Sequence, residues 1–380
     1  MITRTDTDKL RTTRAPGSAV LSLYLSIPVD VAEHRALPAR IRELAKAAAK
    51  PPRGGPPVRD GDVSAVTRLV SEQGHDWLGR TVAVFASEDI GLREAIPLPG
   101  PAAEQALVAD RPQVRPLLSA IQRAPSYRVA LVDVQHAWVF AISDGSIEMV
   151  AERTGPGIRK TGFAGWYGLE AYRIQQRVLE LSRQHFKDTI AMLERTADSD
   201  RGPLVIGGYD SEIRQFRALL PRAVADQVAG TVNVDMQTVT PGRIRELASP
   251  VIGRWAATAQ EHAVQEVLSE PPGVTAVTGL KECAAASRAR AIADLVLPDA
   301  SPRPGFACDQ CGALTESDSG CDCEDPQASC RAVPDLLEEL ASRTLDGGGE
   351  VTTVQDAPFL VGARLRFPVP PSGPPVSRLP

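Results

Sequence analysis

Apolar residues fall along the chain in two rhythms, short continuous or alternating runs and longer stretches with helical spacing, and their order predicts the elements. Runs at 19–27 (AVLSLYLSI), 81–87 and 92–98 predict strands, with helices over 36–50 and about 62–73 between them and a PPRGGPP loop at 51–57. Residues 109–125 carry three prolines in a partly helical pattern and lead to strands at 127–134, 137–143 and 146–152, an antiparallel meander joined by tight turns. A helix follows from about Leu169 to Arg195, in which Leu169, Tyr172, Leu179, Phe186 and Leu193 predict a buried stripe. Residues 203–221 then predict a strand, a Gly207–Gly208 turn and a helix, before a strand at 228–234 and helices at 241–249 and 252–269. After the run 274–282 (VTAVTGLKE), the last part predicts a helix at 284–291, a strand at 292–298, a helix at 334–344 and strands at 350–356 and 362–367.

These elements predict an α/β (α+β) fold, and 380 residues exceed what one core usually serves. We expect three domains: 1–125; 126–250, with a glycine-rich loop at 153–168; and 251–368, an α/β domain with a cysteine-rich insertion at 305–331. The Pro-rich tail 369–380 predicts disorder. No window approaches the roughly 20 uncharged apolar residues of a membrane span, and the first residues have no signal-peptide core, so a cytoplasmic protein with neither a membrane nor a DNA partner is expected.

The net charge of −5 hides a polarity. Residues 153–187 carry seven Arg or Lys against Glu170 and Glu180, whereas 299–350 carry twelve Asp or Glu against three arginines. Such a distribution predicts RNA at one end and protein at the other. The loop 153–168, RTGPGIRKTGFAGWYG, has five glycines, three cations and no acid. Arg159 and Lys160 suit phosphates, Gly162 and Gly165 allow close backbone approach, and Phe163, Trp166 and Tyr167 suit base stacking. Arg173 and Arg177, one helical turn apart, extend the candidate RNA contact.

Five of six cysteines crowd into 23 residues as Cys308-x2-Cys311-x9-Cys321-x-Cys323-x6-Cys330. This spacing predicts a structural zinc held by four of the five thiols, with the choice of four left open. Cys283 reads as a small buried residue, and His136 and His185 as turn and helix residues without a catalytic partner. No triad, paired-acid or P-loop constellation is present, and Gly207–Gly208 lacks a dinucleotide-site pattern.

The run YRVALVDVQHAWVFAISDGSIEMV, the basic glycine loop and LVIGGYDSEIRQFRALLP with its later TVNVD resemble the middle domain of the archaeo-eukaryotic release factor and Pelota superfamily, bacterial branch. In that family the loop bears a Gly-Gly-Gln tip that reaches the peptidyl transferase centre, and the third domain often carries a zinc insertion and docks a translational GTPase. Here the loop has no glutamine before Gln175, so no side chain matches the one that release chemistry positions. The pattern is most similar to Balon-type ribosome hibernation factors. The resemblance therefore implies a non-catalytic translation factor in the A site, contacting rRNA and elongation factor Tu under stress. A ribosome-rescue peptidyl-tRNA hydrolase is the alternative.

Overall fold

The computed structural model describes residues 9–15, 17–48, 58–143, 146–155, 168–196, 202–317 and 329–369, with side chains from residue 176 onward in the helix that starts at 168. The fold is mixed α/β with several sheets, and the contacts divide it into two units, Met1–Arg123 with Thr258–Pro380, and Ala124–Ala257.

In the first unit, β1 (Val20–Ser26), β2 (Thr81–Ser87), β3 (Leu92–Pro97) and β4 (Gln105–Ala109) form an antiparallel sheet of order β3-β2-β1-β4. Every residue of β2 is buried, because α1 (Leu37–Ala48) and α2 (Asp60–Gln73) contribute Ile41, Val66 and Val70 to the core around Leu21, Leu23 and Val84, while α3 (Arg115–Arg123) sets Leu117 beside Tyr24 and Phe85. The sequence shows β4 poorly because 105–109 is short.

The C-terminal part of the same unit holds a second sheet, ordered β10-β16-β11-β15. Its strands are β10 (Ala276–Thr278), β11 (Ile292–Pro298), β15 (Glu350–Val354) and β16 (Gly362–Leu365). Helices α8 (Leu280–Arg288) and α9 (Leu336–Asp346) pack on it through Cys283, Ala284, Leu336, Leu337 and Leu340. Burial pushes the Cys283 thiol up to about 12, fitting its expected role as a core residue.

The two sheets of this unit are joined by buried polar contacts. The Arg115 backbone N–H, which opens α3, donates to Glu338 Oε2 at 2.6 Å, and its guanidinium donates to Asp335 Oδ2 and to the carbonyls of Pro298 and Ala300. Asp335 in turn caps α9 by accepting from the Leu337 N–H. Gln122 closes the open edge of β15, donating to the Val351 carbonyl and accepting from the Thr353 N–H and hydroxyl. The acid-rich 299–350 segment is thus turned partly inward, with Asp335, Glu338 and Glu339 buried. Asp299 and Asp346 pair with Arg123, Arg11 and Arg14 of the N-terminal segment. Among the described residues, most of the acids expected to face another protein are matched within this unit.

The second unit has a five-stranded sheet of order β7-β6-β5-β8-β9. The meander β5 (Tyr127–Val132), β6 (His136–Ser143) and β7 (Ser146–Thr154) is antiparallel, and β8 (Leu204–Gly208) and β9 (Val228–Asn233) continue parallel to β5. One face is covered by α4 (Gly168–Thr196), α5 (Asp210–Arg217) and α6 (Arg222–Ala225) through Phe186, Ile190, Leu193, Phe216 and Val224. The Phe186 and Phe216 rings meet edge to face at 5.6 Å. The other face receives Ile244, Ala248, Val251 and Ile252 of α7 (Pro241–Ser269).

Two sequence expectations change. The helices expected at 241–249 and 252–269 are one 29-residue helix with Pro250 inside it. A proline costs an interior hydrogen bond, but Ala248, Val251 and Ile252 around it are held against the core. Leu179, expected in the buried stripe of α4, is 48% exposed, and among the described side chains of that helix burial begins at Ser182. Leu169 and Tyr172 of that stripe, and the tail from 370, lie outside what is described.

Candidate nucleic-acid interface and cysteine knuckle

The edge strand β7 and the long helix α4 bracket the basic glycine loop. At its stem, the Gly155 N–H donates to the Gln135 carbonyl at 2.6 Å, tying the end of β7 to the β5–β6 turn. Gly155 also lies against the His185 ring of α4: a Cβ there would stand 2.8 Å from Nδ1, so only glycine fits without moving the ring. Arg153 pairs with Asp188 of α4 at 2.5 Å, one helical turn from His185. Burial, with the Arg153 charge adding to it, pushes His185 below the usual histidine range and keeps the ring neutral near pH 7. Sequence reading missed this stem. Its only signal was the glycine at the loop's start.

Of the candidate RNA-contact residues, Arg177 is exposed on α4, in a stretch from Gln176 to Leu181 that buries no residue. The Arg173 side chain and residues Arg159, Lys160, Gly162, Phe163, Gly165, Trp166 and Tyr167 lie outside the described residues.

The cysteine-rich insertion contains a small antiparallel sheet, β13-β12-β14, that the sequence reading did not anticipate: β12 (Gly305–Cys308), β13 (Leu314–Thr315) and β14 (Cys330–Val333). Its register sets Cys308 opposite Cys330. The chain then turns sharply, with the Cys311 N–H donating to Cys308 Sγ at 3.4 Å and the Gly312 N–H to the Cys308 carbonyl at 2.9 Å. Gly312 sits at φ +65°, a left-handed conformation that glycine adopts without strain. A backbone amide turned toward a thiol, as the Cys311 N–H is here, favours thiolate and hence metal ligation. Arg288 of α8 donates to the Cys311 carbonyl, and Arg343 of α9 to the Gly312 carbonyl, fixing both ends of the turn. Cys321 and Cys323 lie outside the described residues, and among the described residues no three His, Cys, Asp or Glu side chains gather to hold an ion.

Residues 112–252 match the profile of bacterial archaeo-eukaryotic release factor family 10. The matched segment, 141 of the 380 residues, is release-factor-like, of that superfamily's bacterial branch. The release-factor segment takes in α3 and the whole meander, and ends within α7. Among solved structures, the chain is similar to the archaeal translation termination factor aRF1 at 15% identity, covering 95% of this chain and 96% of that one with a TM-score of 0.25. It is also similar to Archaeoglobus fulgidus Pelota at 16% identity, 78% and 82% coverage and a TM-score of 0.33. For Saccharomyces cerevisiae Dom34, described as a translation termination-like factor interacting with Hbs1, the values are 9%, 77%, 81% and 0.41. No curated protein matches the chain. No helix among the described residues is long and apolar enough to cross a membrane.

Proposed function

We propose that this chain is a ribosome-binding factor that occupies the A site and shields the peptidyl transferase centre of idle ribosomes without cutting the peptidyl ester. One observation carries the reading: in a release-factor segment, the loop between β7 and α4 has no glutamine. Its glycines and cations retain what close approach to RNA requires, whereas the donor that would position water beside the ester is missing. Elongation factor Tu is the partner implied by the family's third domain. Four of Cys308, Cys311, Cys321, Cys323 and Cys330 would hold a structural zinc, whose tetrahedral thiolate coordination would close the insertion on itself. Chemical footprinting of rRNA on vacant ribosomes tests the reading. The protein should protect nucleotides of the peptidyl transferase centre, and deletion of Gly162 to Gly168 should abolish that protection while binding persists. Protection unaffected by the deletion would oppose it.

A further inference from the structure

The Glu339 carboxylate, on the first turn of α9, is 5% exposed and meets three guanidiniums. Arg331, next to Cys330 on β14, donates to Oε1 at 2.8 Å, and Arg343 donates to the same oxygen at 2.9 Å through Nε. Arg111, from the N-terminal segment, donates to Oε2. The Nη1 of Arg343 donates in addition to the Gly312 carbonyl in the cysteine turn. A guanidinium is a planar, rigid fork, so displacing the Gly312 carbonyl bends the geometry of the Arg343 bond to Glu339. Gly312 is therefore two hydrogen bonds from Glu339, through Arg343, while Arg331 beside Cys330 and Arg111 are each one from it.

We propose that Glu339 couples the cysteine knuckle to the joint between the two sheets of the first unit, so that the accessibility of the knuckle thiols and the tightness of the joint are set together. The coupling is reciprocal, as any linkage between two sites must be. Loosening Arg111 frees Glu339 to shift and slackens Arg343 on the Gly312 carbonyl. Alkylating Cys308, which is 2% exposed, displaces the turn and acts back through Arg343 on the joint. The inference concerns the thiols and their arginines and holds with or without bound metal.

The test measures iodoacetamide modification of each cysteine in the full chain by mass spectrometry, before and after chelation. Arg111→Ala should speed modification of Cys308 and Cys311 by at least about fivefold, the lower end of ordinary coupling between sites. Arg123→Ala removes a different ion pair across the same joint, Arg123–Asp299, which does not reach Glu339, and should change those rates by less than about twofold. Buried Cys283 reports on general opening. Equal acceleration by both variants, no acceleration by Arg111→Ala, or acceleration that Cys283 shares in both Arg111→Ala and the milder Arg111→Lys would overturn the proposal. In the reverse direction, protein alkylated at Cys308 should exchange the amides of 111–117 faster, and unchanged exchange would refute reciprocity. A chain that holds no zinc yet shows the coupling would remove the metal from the functional reading while leaving this inference standing.

Discussion

Replacing Glu339 with glutamine removes one charge while keeping the shape of a side chain on which three arginines converge. Burial alone would raise its carboxyl, but the Arg111, Arg331 and Arg343 guanidiniums hold it down at about 2. Relative to the usual 4.5, that corresponds to on the order of 3 kcal/mol of folded-state preference for the charged form. Glu339→Gln also leaves Arg111, whose side chain is 8% exposed, without its anion, and stripping one partner from a buried pair costs about 3–5 kcal/mol. The variant should lose about that much stability at pH 7. A carboxyl whose pKa is depressed in the folded state stabilises above its unfolded value, and the contribution fades as pH falls through the folded one. The gap between wild type and variant should therefore be full at pH 7 and close as pH drops from 4.5 toward 2. Urea unfolding followed through buried Trp77, retained as the only tryptophan, measures this. A gap below about 1 kcal/mol at pH 7, or one of equal size near pH 2, would refute the reasoning.

Freshly purified protein should carry about one equivalent of zinc, read by elemental analysis, and replacing Cys308 and Cys311 with serine should eliminate it. Gly155→Ala should destabilise the second unit by about 1–3 kcal/mol, because the His185 ring must move aside, and thermal unfolding of Ala124–Ala257 would show it. Ribosome binding should weaken steeply with salt, and Arg177→Ala should lower the slope by about one phosphate contact in co-sedimentation across a salt series.

The strands and helices that position the loop were legible because their core residues recur locally. Residues 127–132 are all buried and β-rich, and Phe186 and Leu193 keep helical spacing. What the sequence hid depends on partners far away along the chain. Asp335, Glu338 and Glu339 read as surface acids, yet Arg111 and Arg115, which help to bury them, lie 220 or more residues earlier. Pro250 reads as a helix end because local rules see the lost hydrogen bond and not the packing of its neighbours. The cysteine spacing was legible, but strands of four, two and four residues are too short to show periodicity, and nothing in sequence pairs Arg343 with the Gly312 carbonyl.

The central claim is binding without hydrolysis, and ribosomes carrying labelled peptidyl-tRNA test it most directly. Stoichiometric occupancy by the pure protein with peptide release at background is the result expected from a loop without glutamine. Multiple-turnover release that a substitution within 153–168 abolishes would contradict the account and make the chain a peptidyl-tRNA hydrolase.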